Sequence, residues 1–160
     1  MKTIIITGTP CTGKTIIAKK LAKKISYTYI DVNEIIKKNK LNNKYLKKYD
    51  TYEIDDKKLN KKLIEIINNS KTNIIIDSHL SHYLPKKYVD LCIVIKCDIK
   101  ELKKRLEKRK YSKIKIRENL DSEIFDICLV EAKENKHKII IVDTTKKKVD
   151  KSVNEITKKI

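Results

Sequence analysis

Two glycines, a lysine and a threonine near the start of the chain have the spacing of a phosphate-binding loop. Gly8 to Thr15 reads GTPCTGKT and matches G-x-x-x-x-G-K-S/T at every fixed position. In such a loop, backbone N–H groups surround an anion at a helix N-terminus, where the helix dipole adds positive potential. We therefore predict that the loop, including Cys11, Thr12 and Gly13, binds ATP. A plain strand-to-helix turn would need neither the lysine nor the threonine.

Two side chains of this loop have predicted roles in phosphoryl transfer. Lys14 is expected to reach the β- and γ-phosphates, and the Thr15 hydroxyl is expected to occupy one site on Mg²⁺. The two glycines of the motif, Gly8 and Gly13, are the only glycines in the chain. Glycine is favoured where the backbone needs positive φ or close approach, so the loop is expected to have an unusual backbone.

A carboxylate and a histidine follow an apolar run in the middle of the chain. The segment Ile74 to Asp77 reads IIID, a buried strand that ends in a potential Mg²⁺ ligand opposite the loop threonine. His79 lies two residues further, on the same side of an extended chain, where it would orient a water or a phosphoryl acceptor. A loop histidine without a function is the alternative. His82 and His137 lie in no motif, which favours structural roles.

The three arginines of the chain occur in one short stretch, at Arg105, Arg109 and Arg117, although Lys and Arg together number 39. Arginine presents a planar, bidentate fork that suits the charge on a migrating phosphoryl group. Arg105 and Arg109 are four residues apart and share a helical face. The segment 110–115 that follows would close over the phosphates. The alternative is a solvated helix end, paired with glutamates of the same helix.

The elements that must position these residues follow an alternating pattern. Short runs rich in Ile and Val alternate with longer amphipathic, lysine-rich stretches, which is typical of parallel strands under crossover helices. The predicted strands are Thr3–Thr7, Tyr27–Ile30, Asn73–Asp77, Leu91–Lys96 and Lys138–Val142. The predicted helices are Lys14–Lys24, Val32–Lys40, Asp56–Asn69, Ile99–Lys108, Lys113–Asn135 and Lys147–Lys159. This is a three-layer, doubly wound α/β fold with its ligand site at the carboxyl ends of the strands. The polar segment 39–55 is expected to be a mobile flap outside the core.

Composition narrows the possible classes of protein. The chain has 160 residues, which suits a single domain, and its formal net charge is +18. That charge favours nucleic-acid binding through phosphate neutralisation. The excess, however, is almost all lysine and comes with abundant Ile, Asn and Tyr, which an AT-rich coding sequence would also produce. Both explanations stay open at this point.

Cysteine spacing and hydropathy indicate a soluble, cytoplasmic protein. The four cysteines form no CxxC pair and have no histidine at metal-ligand spacing, so neither a zinc site nor a secreted disulfide framework is expected. The first apolar run is too short for a signal peptide. Nowhere are there eighteen consecutive apolar residues, so no contact with a membrane is expected.

Several segments together resemble a known family. They read GTPCTGKT, IIIDSH and YLPKKYVDLCIVIKCD, the last running into LKKRLEKRKYSKIKIRENLDSEIFDICLVEAKE. They resemble the adenylate kinase isoenzyme 6 family, also called the coilin-interacting nuclear ATPase family, in its archaeal form. The similarity covers nearly the whole chain and is densest from Ile74 to Glu134. The stretch RLEKRKYSKIKIRENLDSEI is its most family-specific part, because the loop motif alone does not distinguish among nucleotide kinases.

The resemblance implies a domain organisation. A P-loop fold of adenylate-kinase type with a five-stranded parallel sheet would fill the whole chain as one domain. Its core would comprise residues 1–30, 67–107 and 119–160. An insertion that binds a nucleoside monophosphate (NMP) would span about 31–56, and a very short lid about 108–118.

The resemblance also implies roles for individual residues. Residues matching Cys11, Gly13, Lys14, Thr15 and Ile16 hold ATP in that family, and a lid arginine matching Arg109 contacts its phosphates. Asp77 and His79 match an Asp-x-His motif linked to Mg²⁺ and ATP hydrolysis. By analogy with adenylate kinases, Arg105 would lie against the adenine, and Thr144 or Thr145 would lie in the loop that lines the base. The implied NMP-binding residues are Asp31, Asn33 and Lys37.

The chain departs from the family pattern at four positions. Cys11 replaces a usual glycine, which requires the loop conformation to form with a β-carbon present. Ile16 replaces a usual threonine and removes a hydroxyl near the α-phosphate. Lys110 replaces the glycine of an RGY sequence, so a stiffer lid is expected. Lys37 occupies the position of an NMP-binding arginine and would grip a phosphate less directionally.

The function implied by the resemblance is that of an ATP:AMP phosphotransferase with intrinsic Mg²⁺-dependent ATPase activity. The family also acts in late maturation of small-subunit ribosomal RNA, together with a platform ribosomal protein. The alternative is therefore a ribosome-assembly ATPase that acts on pre-ribosomal particles and in which nucleotide kinase activity is incidental. A nucleic-acid-binding module is a third possibility.

Overall fold

A five-stranded parallel sheet forms the centre of the computed structural model, which describes residues 1–160. The strands of the chain are β1 (Thr3–Thr7), β2 (Thr28–Asp31), β3 (Asn42–Leu46), β4 (Thr51–Ile54), β5 (Ile74–Asp77), β6 (Leu91–Lys96) and β7 (Ile139–Asp143). The central sheet has the order β2-β5-β1-β6-β7, and every neighbouring pair in it is parallel. Strands β3 and β4 form a separate antiparallel hairpin.

Seven helices connect and cover these strands. They are α1 (Lys14–Ile25), α2 (Val32–Lys38), α3 (Asp56–Asn69), α4 (Ile99–Lys108), α5 (Lys113–Ile124), α6 (Ile127–Glu134) and α7 (Val149–Thr157). Short 3₁₀ turns occur at Lys47–Tyr49, Ser81–Tyr83 and Lys86–Tyr88. No helix combines the length and the apolar composition that crossing a bilayer requires.

The isoleucine-rich strands are buried on both faces because helices cover each side of the sheet. Ile4 and Ile6 of β1 pack with α1 and α7 on one face. Ile5, between them, points to the other face and packs with α2, α3 and α6. Alternate side chains of a strand point to opposite faces, so the continuous apolar run of β1 contributes to both hydrophobic layers.

The strand order places the loop after β1 beside the end of β5. Strand β1 lies between β5 and β6, and its Ile6 is paired in register with Asp77. Both strands run in the same direction, so their carboxyl ends meet at one edge of the sheet. The crossovers lead from there to opposite sides, and such a switch point opens a crevice for a ligand.

All five predicted strands of the central sheet and the three-layer fold class are confirmed. The predicted helix Lys113–Asn135 is wrong in one respect, because the chain forms two helices, α5 and α6. The break lies at Asp126, whose φ of 54° is left-handed and whose carboxylate pairs with Lys96. Within the segment 39–55, the hairpin of β3 and β4 was not predicted. Its side chains are mostly exposed because it lies outside the central sheet.

Gly8 is required where β1 turns into the phosphate-binding loop. Its φ is 139°, and a β-carbon at this position would lie 2.3 Å from the backbone oxygen of Ile95. Gly13 also has a positive φ, of 101°, but a β-carbon there would meet only Thr144 and Arg105 side-chain atoms, none nearer than 3.9 Å. The two glycines therefore tolerate substitution differently.

We expect Gly8→Ala to lower the free energy of unfolding by at least ~3 kcal/mol, because both the backbone conformation and the contact with β6 must change. Gly13→Ala is the matched control, and we expect it to cost only ~1–2 kcal/mol of left-handed strain. Urea unfolding followed by circular dichroism measures both. Equal destabilisation of the two variants would contradict the assigned contact between Gly8 and Ile95.

Candidate active site

The loop between β1 and α1 presents a group of unpaired backbone donors. The N–H groups of Cys11, Gly13, Lys14, Thr15 and Ile16 donate to no protein acceptor. The last three belong to the first turn of α1, where an α-helix has no internal acceptor for them. Amides that point together at a helix N-terminus form an anion site, so the loop can hold a phosphate group.

Cys11 keeps the loop conformation although it has a β-carbon. Its φ is 69°, in the left-handed region, between the positive φ values of Gly8 and Gly13. Lys110, the other residue at a usual glycine position, is also left-handed, with φ of 57°. Such a conformation costs an L-residue ~1–2 kcal/mol. The surrounding structure therefore maintains the backbone at both positions without glycine.

The side chain of Lys14 is held over the loop by a backbone carbonyl group of that loop. Its ammonium group donates to the carbonyl oxygen of Thr9 at 2.9 Å. Burial lowers the pKa of Lys14, while the carboxylate of Asp77 acts in the opposite direction. A half-buried cation whose only protein partner is a carbonyl oxygen is only partly compensated, so binding of an anion in the loop would be favoured.

Asp77 lies next to the loop and receives two hydrogen bonds on the same oxygen. Thr15 Oγ1 donates to Asp77 Oδ2 at 2.6 Å, and the Tyr29 hydroxyl donates to that atom at 3.0 Å. Burial and the adjacent carboxylate raise the pKa of Tyr29, which keeps it a donor. The other oxygen, Asp77 Oδ1, accepts no hydrogen bond from the protein.

These oxygen donors fit the coordination that Mg²⁺ requires. Thr15 Oγ1 and the Asp77 carboxylate lie together at the cleft, and Mg²⁺ commonly takes one or two protein oxygens and completes its octahedron with water and phosphate. No cluster of three His, Cys, Asp or Glu side chains forms a metal cage in the protein. Thr15 and Asp77 thus fit a Mg²⁺ ion whose remaining ligands are water and phosphate oxygens.

His79 lines the same cleft, two residues after Asp77. Its side chain is exposed where it enters the cleft beside Lys14 and Asp77. Partial desolvation by the cleft walls lowers the pKa of His79 towards about 4, and the positive charge of Lys14 acts in the same direction. The ring is neutral near pH 7, so it can accept a hydrogen bond.

Arg105 extends from α4 to the back of the phosphate-binding loop. Its guanidinium donates to Glu101 Oε1 at 3.0 Å, to the Thr144 carbonyl oxygen at 3.1 Å and to the Thr12 carbonyl oxygen at 3.4 Å. The alternative expected from the sequence, a pairing with a glutamate of the same helix, is therefore present. Arg105 nevertheless also lines the cleft. Its fork joins α4, the loop after β7 and the phosphate-binding loop.

Arg109 ends α4 and is exposed in the cleft. The neighbouring Tyr111 side chain, and after it Cys11, raise the pKa of Arg109 above its usual value. Arg117 differs, because it is exposed, pairs with Asp121 on its own helix and does not line the cleft. Of the three arginines, Arg109 is the one that lines the cleft without an ion pair.

A single large cleft of about 960 Å³ brings these residues together. Of the predicted site residues, it is lined by Cys11, Gly13, Lys14, Thr15, Ile16, Asn33, Asp77, His79, Arg105 and Arg109. The opposite wall is formed by α5 and by the hairpin segment with Tyr49 and Thr51. Lys115 Nζ of α5 donates to the carbonyl oxygen of Asp50 at 2.7 Å and joins these two parts of the wall.

Five predicted site residues lie outside the cleft lining. Gly8 and Thr12 are part of the loop but lie beneath its surface, and Thr12 Oγ1 donates to the Thr9 carbonyl oxygen at 2.8 Å. Asp31 accepts from the Asn33 N–H and caps α2, while Lys37 is exposed on that helix. Thr145 bonds to Asp98 and Asp143, and its neighbour Thr144 instead supports the loop.

Several residues of the cleft had no sequence signal. Tyr49 and Thr51 line the cleft and Tyr29 donates to Asp77 behind it, and none of the three belongs to a motif. The face of α5 towards the cleft carries polar side chains that continue this wall, namely Lys115, Glu118, Asn119 and Ser122. Glu123, which is buried behind that face, was not predicted either. These α5 residues and Glu123 lie within RLEKRKYSKIKIRENLDSEI, the most family-specific stretch of the sequence, but the resemblance implied no role for them.

His82, which belongs to no motif, forms hydrogen bonds with both of its ring nitrogens inside the protein. Its Nδ1 lies 2.7 Å from Thr7 Oγ1 and its Nε2 lies 2.8 Å from Glu131 Oε2. Burial lowers the pKa of His82, opposed by Glu131. The His137 ring in turn bonds to the His82 carbonyl oxygen. These contacts tie the loop that bears His79 to the end of β1.

The cleft therefore has two chemically different halves. One half offers free amides, a lysine and an arginine to a polyphosphate, with oxygen ligands for Mg²⁺ beside them. The other half, bounded by Asn33, Tyr49, Thr51 and Lys115, offers hydrogen-bond donors and one cation to a second ligand. Asp77 and His79 also line this cleft, together with the residues of both halves. This arrangement suits phosphoryl transfer between two bound molecules.

Comparison with known proteins gives a consistent result. A family model described as an AAA domain matches residues 4–126. The chain is 43% identical over 157 residues to a putative adenylate kinase of Methanocaldococcus jannaschii, covering 98% of this chain and 85% of that protein. It is 31% identical over 132 residues to an adenylate kinase isoenzyme 6 homolog of Caenorhabditis elegans, covering 82% of this chain and 72% of that protein.

A solved shikimate kinase from Bacteroides thetaiotaomicron has a similar fold. The two chains superpose with a TM-score of 0.62, and the alignment covers 98% of this chain and 97% of the other. Their sequences are 15% identical, so the similarity concerns the fold alone.

We expect the His79 ring to titrate near pH 4 in the nucleotide-free protein, well below the ordinary value of 6.5. Between these two pH values, the unfolded chain binds a proton at this position and the folded protein does not. Proton binding therefore favours the unfolded chain, and folding stability decreases as the pH falls through that window. Histidine NMR titration, with His79→Asn for assignment, measures the midpoint. A midpoint at 6.5 would contradict the desolvation of the ring.

Proposed function

Because the chain belongs to the family of archaeal putative adenylate kinases and adenylate kinase isoenzyme 6 homologues, we propose that it transfers the γ-phosphoryl group of ATP to AMP. The coarser conclusion, a nucleotide-binding kinase of the NMP kinase type, follows from the family. The finer assignment of ATP and AMP as the substrates is our proposal. The observation that carries it is the two-sided cleft, with the free loop amides and Lys14 in one half.

The donor half would bind the triphosphate of ATP. The N–H groups of residues 13–16 and of Cys11 would surround the β-phosphate, and Lys14 would leave the Thr9 carbonyl oxygen to contact the β- and γ-phosphates. Arg109 would approach from the end of α4, and its planar fork would stabilise the charge on the migrating group. Arg105, held by Thr144 and Glu101, would border the adenine.

The acceptor half would bind AMP against the hairpin and α2. Asn33, Tyr49 and Thr51 offer hydrogen bonds to it, and Lys115 offers a positive charge. Asp31 supports this region indirectly by capping α2. Lys37, the residue at the usual arginine position, is exposed and outside the cleft lining. We therefore assign phosphate binding in this half to Lys115 in preference to Lys37.

The transfer itself needs no protein nucleophile. An oxygen of the AMP phosphate would bond to the γ-phosphorus while the bond from that phosphorus to the β–γ bridging oxygen breaks, and each substrate leaves as ADP. Positioning and charge stabilisation supply most of the catalysis in such reactions. Thr15 and Asp77 would hold Mg²⁺, which supplies charge neutralisation on the phosphates when it is bound. Neutral His79 would accept a hydrogen bond from a water or from the acceptor.

We also propose that the protein hydrolyses ATP when AMP is absent. The proposed lid, residues 108–118, is short, and water would reach the γ-phosphate past it. Exclusion of water suppresses hydrolysis in kinases, so incomplete closure allows it. His79 would orient the attacking water.

A second candidate function is ribosome assembly, in which ATP turnover switches a contact with pre-ribosomal particles or a platform ribosomal protein. Its support is the family resemblance together with the net charge of +18. The discriminating assay compares ADP formation from ATP plus AMP with phosphate release from ATP alone, each with and without pre-ribosomal particles. Fast AMP-dependent turnover that particles do not change favours the kinase, and particle-stimulated phosphate release favours assembly.

Lys14→Ala is expected to reduce AMP-dependent ADP formation by about 10³-fold or more, because Lys14 is the loop's only side-chain cation for the phosphates. Lys23→Ala is the control, since Lys23 is exposed on the same helix and away from the cleft. A coupled assay for ADP measures both variants. Unchanged turnover in Lys14→Ala would overturn the proposed function.

Arg109→Lys is expected to lower kcat by about 10²-fold or more while the variant stays folded, because lysine keeps the charge but loses the bidentate fork. Arg117→Lys is the matched control, as Arg117 is exposed and points away from the cleft. Steady-state kinetics at saturating ATP and AMP distinguish the two. If the two variants have the same kcat as the wild type, Arg109 does not act on the transferred group.

A further inference from the structure

A buried carboxylate at the end of α5 bonds to two elements of the site at once. Glu123 is 6% exposed and does not line the cleft. Its Oε2 accepts from Thr9 Oγ1 at 2.6 Å, and its Oε1 accepts from the backbone N–H of Cys97 at 3.0 Å. Both oxygens are therefore engaged, in directions set by two separate segments.

The first of these segments is the phosphate-binding loop. Thr9 is 1% exposed, so its hydroxyl has no access to bulk water. Its carbonyl oxygen is the acceptor for Lys14 and for the Thr12 hydroxyl. A displacement of Thr9 would therefore move the acceptor that currently holds the catalytic lysine.

The second segment begins the helix that bears the arginines. Cys97 lies between β6 and α4, directly before Asp98, the N-cap residue of α4. Helix α4 carries Arg105 and Arg109. Glu123 thus connects the loop that would hold the phosphates to the start of the helix that would bring the arginines to them.

Water cannot easily take over the role of this carboxylate. The cavity beside it, next to Gly8 and Asp126, measures about 10 Å³, which is at the lower limit for one water molecule. The buried Thr9 hydroxyl and Cys97 N–H would each lose an acceptor if the carboxylate were removed. An unpaired buried donor costs ~1–3 kcal/mol, so the two segments would move to recover partners.

We propose that Glu123 is a positioning residue, which fixes the separation between the phosphate-binding loop and the arginine-bearing helix α4 during phosphoryl transfer. The inference rests on the proposed function and adds to it a determinant outside the cleft. A displacement of about 1 Å at the reacting groups can cost about 10²-fold in rate. A carboxylate suits the role because it accepts from both donors and donates to neither.

Glutamine at this position would keep the shape but not the bonding. If its oxygen faced the Cys97 N–H, its NH₂ group would face the Thr9 hydroxyl, which would have to accept and would leave its own hydrogen unpaired. Glu123→Gln is therefore the mild variant. Thr9→Val removes the other partner, and Thr9→Ser restores the hydroxyl. Asp121→Asn is the surface control, because Asp121 pairs only with exposed Arg117.

The experiment measures three properties of each variant: kcat and KM for ATP and AMP, the affinity for Mg²⁺-ATP by calorimetry, and hydrogen exchange of the peptide that covers residues 8–16. We expect Glu123→Gln and Thr9→Val to lower kcat about 10- to 100-fold with KM for AMP changed less than about threefold, and to speed exchange in the loop. Thr9→Ser should recover most of kcat. The double variant should be no worse than either single variant, because both remove one interaction.

A lower melting temperature with wild-type kcat and loop exchange in the folded Glu123→Gln protein would reduce Glu123 to a structural role and overturn the proposal. Additive losses in the double variant, or no recovery in Thr9→Ser, would also overturn it. Calorimetry and exchange do not require transfer to AMP. A wild-type protein that binds ATP without phosphorylating AMP would therefore refute the proposed function while the Glu123 contact is still tested.

Discussion

The site depends on one backbone constraint, which is that the chain must leave β1, reverse direction and enter α1 with its first amides unpaired. The turn is possible because Gly8 packs against the Ile95 carbonyl oxygen and because Cys11 and Gly13 accept positive φ. Unpaired amides and left-handed residues are unfavourable by themselves. The buried sheet on one side and, on the other, the hydrogen bonds donated by Thr12 and Arg105 and accepted by Glu123 hold the loop in this form. The protein is thereby prepared for an anion before one arrives.

Sequence patterns predicted the parts of this arrangement that are local. The apolar runs gave all five strands of the central sheet, because strands buried on both faces need continuous Ile and Val. Asp77 and the loop motif occupy the ends of adjacent strands, so parallel pairing alone brings Thr15 and Asp77 together. The cleft likewise contains His79, Arg105 and Arg109, whose residue types were informative in a chain with so few arginines. Their catalytic roles stay predictions.

What the sequence could not supply are contacts between distant segments and breaks in a uniform pattern. Thr9 and Glu123 are 114 residues apart, and nothing in the helical periodicity of α5 distinguishes an inward glutamate from a surface one. The break before α6 depends on Asp126 adopting a left-handed conformation without glycine or proline to signal it. The hairpin of β3 and β4 has few apolar residues, because only its ends pack on the core, so the usual strand signal is weak.

The hydrogen bond from Lys115 to the carbonyl oxygen of Asp50 has a consequence for binding of the second ligand. It joins α5 to the hairpin on one wall of the cleft and is exposed to solvent. The net strength of such a bond is only ~0.5–1.5 kcal/mol, so it breaks readily. If Lys115 binds the acceptor phosphate as proposed, it must first leave the Asp50 carbonyl oxygen, and the acceptor affinity is lowered by the free energy of breaking that bond. The hairpin would then lose its tie to α5 in the occupied protein, so its mobility would rise on binding.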